Sequence, residues 1–145
     1  MKYKLEILIN KPRAEVWNLF CDYGNINRWQ PSIIKIEPVS GKTGQLGAVS
    51  KWIYKANDRE YFLTETVLSR EEPDHFENAF RNEFAENSVN NKFAEQGRDQ
   101  TLWVAETIYK FRTPIMSILG PFMKNRYMAR SKKDMERFKE MVEKE

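Results

Sequence analysis

The sequence predicts an α+β fold: a seven-stranded curved antiparallel sheet, two short helices after its first strand, and one long helix laid across it. Three observations predict this. Seven segments alternate with period two, and six of them follow one another with short polar connections, which implies a meander. Leu119, Met123, Tyr127, Ser131, Met135, Phe138 and Val142 then recur at helical spacing, one stripe of a long amphipathic helix. Finally, the 145 residues are 41% hydrophobic and include nine Phe, six Tyr and four Trp, enough large apolar side chains to offset the entropy of ordering. Residues 1–145 are read as a single domain, without internal repeats or a low-complexity linker.

Each element has a local reason. Lys2 to Asn10 alternates so that Tyr3, Leu5, Ile7 and Ile9 share one side of a half-buried strand. Pro12 pre-sets a first helical turn, and Val16, Trp17, Leu19 and Phe20 follow at helical spacing. Tyr23-Gly24-Asn25 ends that helix; Asn25 to Pro31 reads as a second, stopped by the residue before proline. The six further strands are Ser32–Val39, Leu46–Lys55, Arg59–Arg70, His75–Arg81, Ser88–Gln96 and Thr101–Arg112. After them Gly120-Pro121 predicts a kink between a short turn from Ile115 to Leu119 and the long helix from Pro121 to Val142. That helix is the one element long enough to cover the sheet.

Inventory excludes several chemistries. One His (His75) and one Cys (Cys21), far apart, give no metal site and no Cys/His dyad, so no metal is expected. His75 is expected to pair, exposed, with the acids before it; Cys21 reads as packing. The scattered glycines form no phosphate loop, and no cofactor is expected. The lone Cys and the polar opening residues point to a reducing, cytoplasmic context. The longest mainly apolar window, Pro114 to Met123, is too short to span a bilayer, so no integral membrane contact is expected. The whole net charge of +3 lies beyond residue 123, where Lys124, Arg126, Arg130, Lys132 and Lys133 run without an acid between them. With no nucleic-acid motif beside it, this run reads as a solvated helix face rather than a nucleic-acid surface.

Five strings, each falling where an element is predicted, carry a resemblance. They are Ile9-Asn10-Lys11-Pro12-Arg13-Ala14-Glu15-Val16-Trp17, Trp29-Gln30-Pro31, Gly47-Ala48, Glu65-Thr66-Val67, and Asn87-Ser88-Val89 before Phe93. Over essentially its whole length the chain resembles the START-like, or SRPBCC, superfamily with its helix-grip fold, in particular its polyketide cyclase-like members. That resemblance implies a container used for lipid or hormone carriage, aromatic cyclisation, quinone binding or activation of a chaperone ATPase, with no universal catalytic residue.

Alternation then assigns an interior. Ser50, Trp52 and Tyr54 share one side of their strand; Tyr61, Leu63, Glu65 and Val67 share one side of the next. Phe76, Asn78 and Phe80, then Val89, Asn91 and Phe93, and finally Trp103, Ala105, Thr107 and Tyr109 complete the concave face. Given the resemblance, this aromatic face with few polar groups predicts a cavity for a small hydrophobic molecule between sheet and helix. Its expected lining is Trp52, Tyr54, Tyr61, Leu63, Asn78, Phe80, Asn91, Phe93, Trp103, Thr107 and Tyr109, with Trp29, Met116, Leu119 and Met123 near the mouth. Glu65 is the candidate catalytic residue. A carboxylate on an otherwise apolar face among neutral neighbours should titrate upward and serve as an acid or base, as in a cyclase or hydratase. One residue of register slip would instead turn it outward. A third reading is an interaction module, with Leu102, Val104 and Ile108 on the outer face; the oligomeric expectation is a monomer or weak homodimer.

Overall fold

The computed structural model describes residues 1–145. Strand β1 (Lys2–Ile9) leads into α1 (Arg13–Phe20), a 3-10 turn over Tyr23–Asn25 and α2 (Ile26–Trp29). Then follow β2 (Ile33–Ser40), β3 (Val49–Ala56), β4 (Arg59–Glu71), β5 (His75–Arg81), β6 (Ala85–Glu95) and β7 (Thr101–Phe111). The chain closes with α3 (Pro114–Leu119), a 3-10 turn over Gly120–Met123 and α4 (Lys124–Glu143). All seven strands join one antiparallel sheet in the order β1-β7-β6-β5-β4-β3-β2, so α1 and α2 connect its two edges. This is the expected helix-grip arrangement.

Three details of the sheet have clear causes. Asn57 and Asp58, both left-handed at φ 51° and 61°, make the two-residue turn whose twist suits the β3–β4 hairpin. Register shifts in β2 and between Val67 and Ser69 of β4 mark bulges, which curve the sheet around its contents. Strand β6 begins at Ala85, not Ser88: Ala85, Glu86 and Asn87 pair with Phe111, Lys110 and Tyr109 of β7. Main-chain pairing tolerates polar side chains there, so composition is a poor guide to that boundary. Strand β3 starts at Val49, later than Leu46, because Gln45 to Ala48 form a turn with Gly47 at φ 80°.

The C-terminal half of α4 seals the concave side at the end where α1 and α2 lie. Met135, Phe138, Met141 and Val142 are buried, the face expected from their spacing. Phe138 meets Trp29, Trp103 and Phe20 at centroid separations of 5.0, 5.1 and 5.9 Å. Polar contacts tie the helix to β1: Tyr3 and Ser131 hydroxyls lie 2.9 Å apart, and Asn10 N–H donates to Glu143 at 2.8 Å.

The kink falls where Gly120-Pro121 predicts it, but Gly120–Met123 wind as a 3-10 turn, which leaves α4 20 residues rather than the longer run expected. Gly120 sits against the Phe111 ring so closely that a Cβ would lie 2.2 Å from Cζ. Gly120→Ala is therefore expected to displace the ring or the turn and to destabilise by about 1–3 kcal/mol, as overpacking does. Urea denaturation checks this; an unchanged midpoint would show that α3 is free to lift.

Candidate functional site

Burial on the concave face follows the alternation. Ser50, Trp52, Glu65, Val67, Phe76, Asn78, Asn91, Phe93, Trp103 and Thr107 are all buried, and Glu65 has no exposed surface. The side chains of this face, buried and half-buried, form three main groups.

The first is a polar cluster around Glu65. Register sets Ser50 of β3 directly opposite Glu65 of β4, and Asn78 of β5 lies diagonally from it on the same face. Ser50 Oγ donates to Glu65 Oε1 at 3.0 Å and Asn78 Nδ2 to Oε2 at 2.8 Å, while Trp52 Nε1 donates to Ser50 Oγ at 3.1 Å. The fourth member comes from outside the sheet: Tyr23 Oη donates to Glu65 Oε2 at 2.5 Å. Asp22 fixes the turn that carries Tyr23 by accepting from Gly24 N at 3.0 Å and Asn25 Nδ2 at 2.8 Å, and Trp52 packs edge-on to the Tyr23 ring.

Burial raises the Glu65 pKa above the ordinary carboxylate value, against the donors from Tyr23, Asn78 and Ser50, which favour the ionised form. Burial together with the adjacent Glu65 also holds the Tyr23 hydroxyl well above the usual phenol value, so its proton stays in place. Glu65 thus reaches no cleft itself. Tyr23 does: it borders a 330 Å³ cleft between α2 and β2, with Ile26, Ile34 and Ile36 among its walls. Tyr23 is thus the residue that links that cleft to Glu65.

The second group is an aromatic interlock. Phe20 and Trp29 from α1 and α2 insert between Phe76, Phe93, Trp103 and Phe138, with centroids 5.0 to 5.9 Å apart. Trp29 accordingly sits within the packed interior, not near a mouth. The cavity expected between the sheet and the long helix is therefore not open beneath the C-terminal part of α4, where side chains from α1 and α2 fill the space. Trp103 Nε1 donates to Asn91 Oδ1 at 3.0 Å, and Asn91 Nδ2 donates to the Phe76 carbonyl at 3.2 Å, which satisfies Asn91 internally.

The third group lies at the open end, where Tyr54, Tyr61, Leu63, Phe80 and Tyr109 remain partly exposed on the concave side. Tyr54 stacks on Tyr61 at 5.6 Å, and Tyr109 stacks on Tyr127 of α4 at 4.9 Å. No residue of α3 is buried, and Met116, Leu119 and Met123 are half-buried or exposed. The concave face at this end is thus a trough of half-covered apolar side chains open to solvent, flanked by Tyr127 over Tyr109, with Met123 Sδ 3.9 Å from the Tyr127 hydroxyl.

Other candidates fall away from these groups. His75 Nδ1 lies 3.3 Å from Ser69 Oγ, so its partner is a hydroxyl rather than the expected acid. It borders a 630 Å³ groove of mostly polar walls, formed by β5, β6 and Arg13 of α1. Burial pushes the Cys21 thiol up to about 11, which suits packing. No group of three or more His, Cys, Asp or Glu residues is arranged to hold a metal. Tyr23 is the functional candidate that sequence reasoning missed; the signal was a tyrosine directly after an Asp able to cap a turn.

Comparison with known proteins agrees with this architecture. The sequence model of the family described as polyketide cyclase / dehydrase and lipid transport matches residues 1–143. No curated protein sequence matches. Among solved structures, a START superfamily protein from Mycobacterium smegmatis superposes with a TM-score of 0.77 at 11% identity, over 97% of this chain and 98% of that one. An aromatase/cyclase from a Streptomyces species gives 0.76 at 13% identity, over 99% and 93%. Norcoclaurine synthase from Thalictrum flavum, solved with dopamine and hydroxybenzaldehyde, gives 0.72 at 10% identity, over 98% and 86%. At these identities the likeness is one of fold.

Proposed function

The chain belongs to the polyketide cyclase / dehydrase and lipid transport family, whose fold encloses hydrophobic ligands, and we propose that it holds a small apolar or aromatic molecule in the trough at the open end of the sheet. One observation carries this reading. The concave face is packed solid beneath α1, α2 and the end of α4, yet Tyr54, Tyr61, Leu63 and Phe80 are left half-covered at the other end, and Met116, Leu119 and Met123 in the segment after β7 are half-buried or exposed. Apolar area supplies affinity there, the hydroxyls of Tyr54 and Tyr61 fix orientation, and the flexible methionines adapt to shape. The interior polar groups play no part in orienting the molecule, since Glu65, Asn78 and Asn91 are occupied by one another's neighbours.

Titration with 1-anilinonaphthalene-8-sulfonate, followed by its fluorescence, tests the reading. Wild type is expected to bind, and Leu63→Glu, which plants a negative charge in the trough against an anionic probe, is expected to weaken binding by roughly tenfold or more. Equal binding by both proteins would overturn it.

A second reading has its own observation, Tyr23 as a wall of the 330 Å³ cleft with its hydroxyl on the buried Glu65. In that reading the pair donates and recovers a proton in a cyclase- or hydratase-like step. Tyr23→Phe should then abolish turnover of an aromatic polyketide while leaving affinity in the trough unchanged; turnover by the variant would exclude it.

A further inference from the structure

The segment that borders the trough also presents its opposite side to solvent. Ile115, Ile118 and Phe122 are 65%, 67% and 85% exposed, and their spacing lines them along one side of α3 and the turn after it. Thr113 caps this segment by accepting from Met116 N, and Gly120 anchors it on Phe111, so the stripe is held out rather than folded in. Phe84, 47% exposed, stands beside its root, where Arg112 N–H donates to the Phe84 carbonyl.

Charge follows immediately. Lys124, Arg126, Arg130, Lys132 and Lys133 occupy the first turns of α4 with no acid among them, and the ion pairs along α4 all lie beyond, at Asp134–Arg137, Lys139–Glu143 and Glu140–Lys144. The helix thus has an unpaired cationic half joined to an exposed apolar tip, and a neutralised half over the core.

We propose that this tip and its cationic collar dock the protein on an anionic phospholipid bilayer. Ile118 and Phe122 enter the boundary between headgroups and acyl chains, and the cations lie at the level of the lipid phosphates. Charge selects this occupant. A second copy meeting the same surface about a two-fold axis would set five cations against five cations. Nucleic acid would satisfy the cations but leave the isoleucines and phenylalanine in water. Docking here goes beyond ligand binding in the trough, and its test does not depend on that reading.

Co-sedimentation of the full chain with vesicles of phosphatidylcholine, with and without phosphatidylglycerol, tests the proposal. Binding is expected only with the anionic lipid, and it should fall steeply as salt is raised. Lys132→Gln and Lys133→Gln should each weaken it about fivefold. The double change Ile118→Ser and Phe122→Ser should weaken it by roughly tenfold or more. All four positions are exposed, so unchanged near-ultraviolet circular dichroism will show the variants folded. The proposal is overturned by equal binding to neutral and anionic vesicles, or by a serine double variant that binds like wild type. It is equally overturned by a dimer in sedimentation that the double variant returns to monomer, because the stripe would then belong to a second copy.

Discussion

Phe138→Ala is expected to lower stability by about 3–5 kcal/mol. Phe138 has no exposed surface and lies at the centre of the interlock, touching Phe20, Trp29 and Trp103 in edge-on geometry. Its removal forfeits burial and leaves a void that those rings cannot close, since each is already held by other partners. Urea denaturation with an unchanged m-value would measure the loss. A cost below about 1 kcal/mol would mean that the helix packs on the sheet through another face. Ligand affinity of the surviving folded protein should be unaltered, because Phe138 lies at the closed end and the proposed trough at the other.

Glu65→Ala is expected to cost about 2–4 kcal/mol, because it leaves the donors of Tyr23, Asn78 and Ser50 buried without their acceptor. Glu65→Gln keeps one carbonyl oxygen and should cost less. Their pH dependence separates structure from charge. The folded pKa of Glu65 is raised, so its contribution to stability is fully present below the unfolded carboxylate value and is lost as pH rises through the folded one. Wild type should therefore lose stability relative to Glu65→Gln as pH climbs out of the acid range. Asp134, pushed up to about 6 by burial despite Arg137, acts in the same sense but is common to both proteins, so the difference isolates Glu65. A gap between the two that widens in favour of wild type with rising pH would show that the donors, not burial, dominate at Glu65.

The faces of the strands were legible because period two leaves little choice once Val67, Phe76 and Trp103 must go inside. The long helix was legible for the same reason, through the spacing of Met135, Phe138 and Val142. What alternation cannot convey is how far a side chain from another element penetrates. Phe20 and Trp29 look like ordinary apolar positions of two short helices, yet they occupy the space that the strand faces alone would have left as a cavity. Tyr23 was hidden differently: it marks the end of a helix in sequence, and only the closure of the chain brings its hydroxyl to a carboxylate 42 residues away. The start of β6 was obscured by Glu86 and Asn87, whose polarity reads as a loop while their backbone pairs fully with β7.

The central claim is that ligand binds at the open end, against residues that no other element covers. Methyl-selective NMR during a titration with 1-anilinonaphthalene-8-sulfonate tests it most directly, since methyl groups mark every candidate location. Shifts confined to Leu63, Met116, Leu119 and Met123, with Val67, Met135 and Val142 unmoved, are the predicted result. Shifts centred on Ile26, Ile34 and Ile36 would place the ligand in the cleft beside Tyr23 and contradict the account.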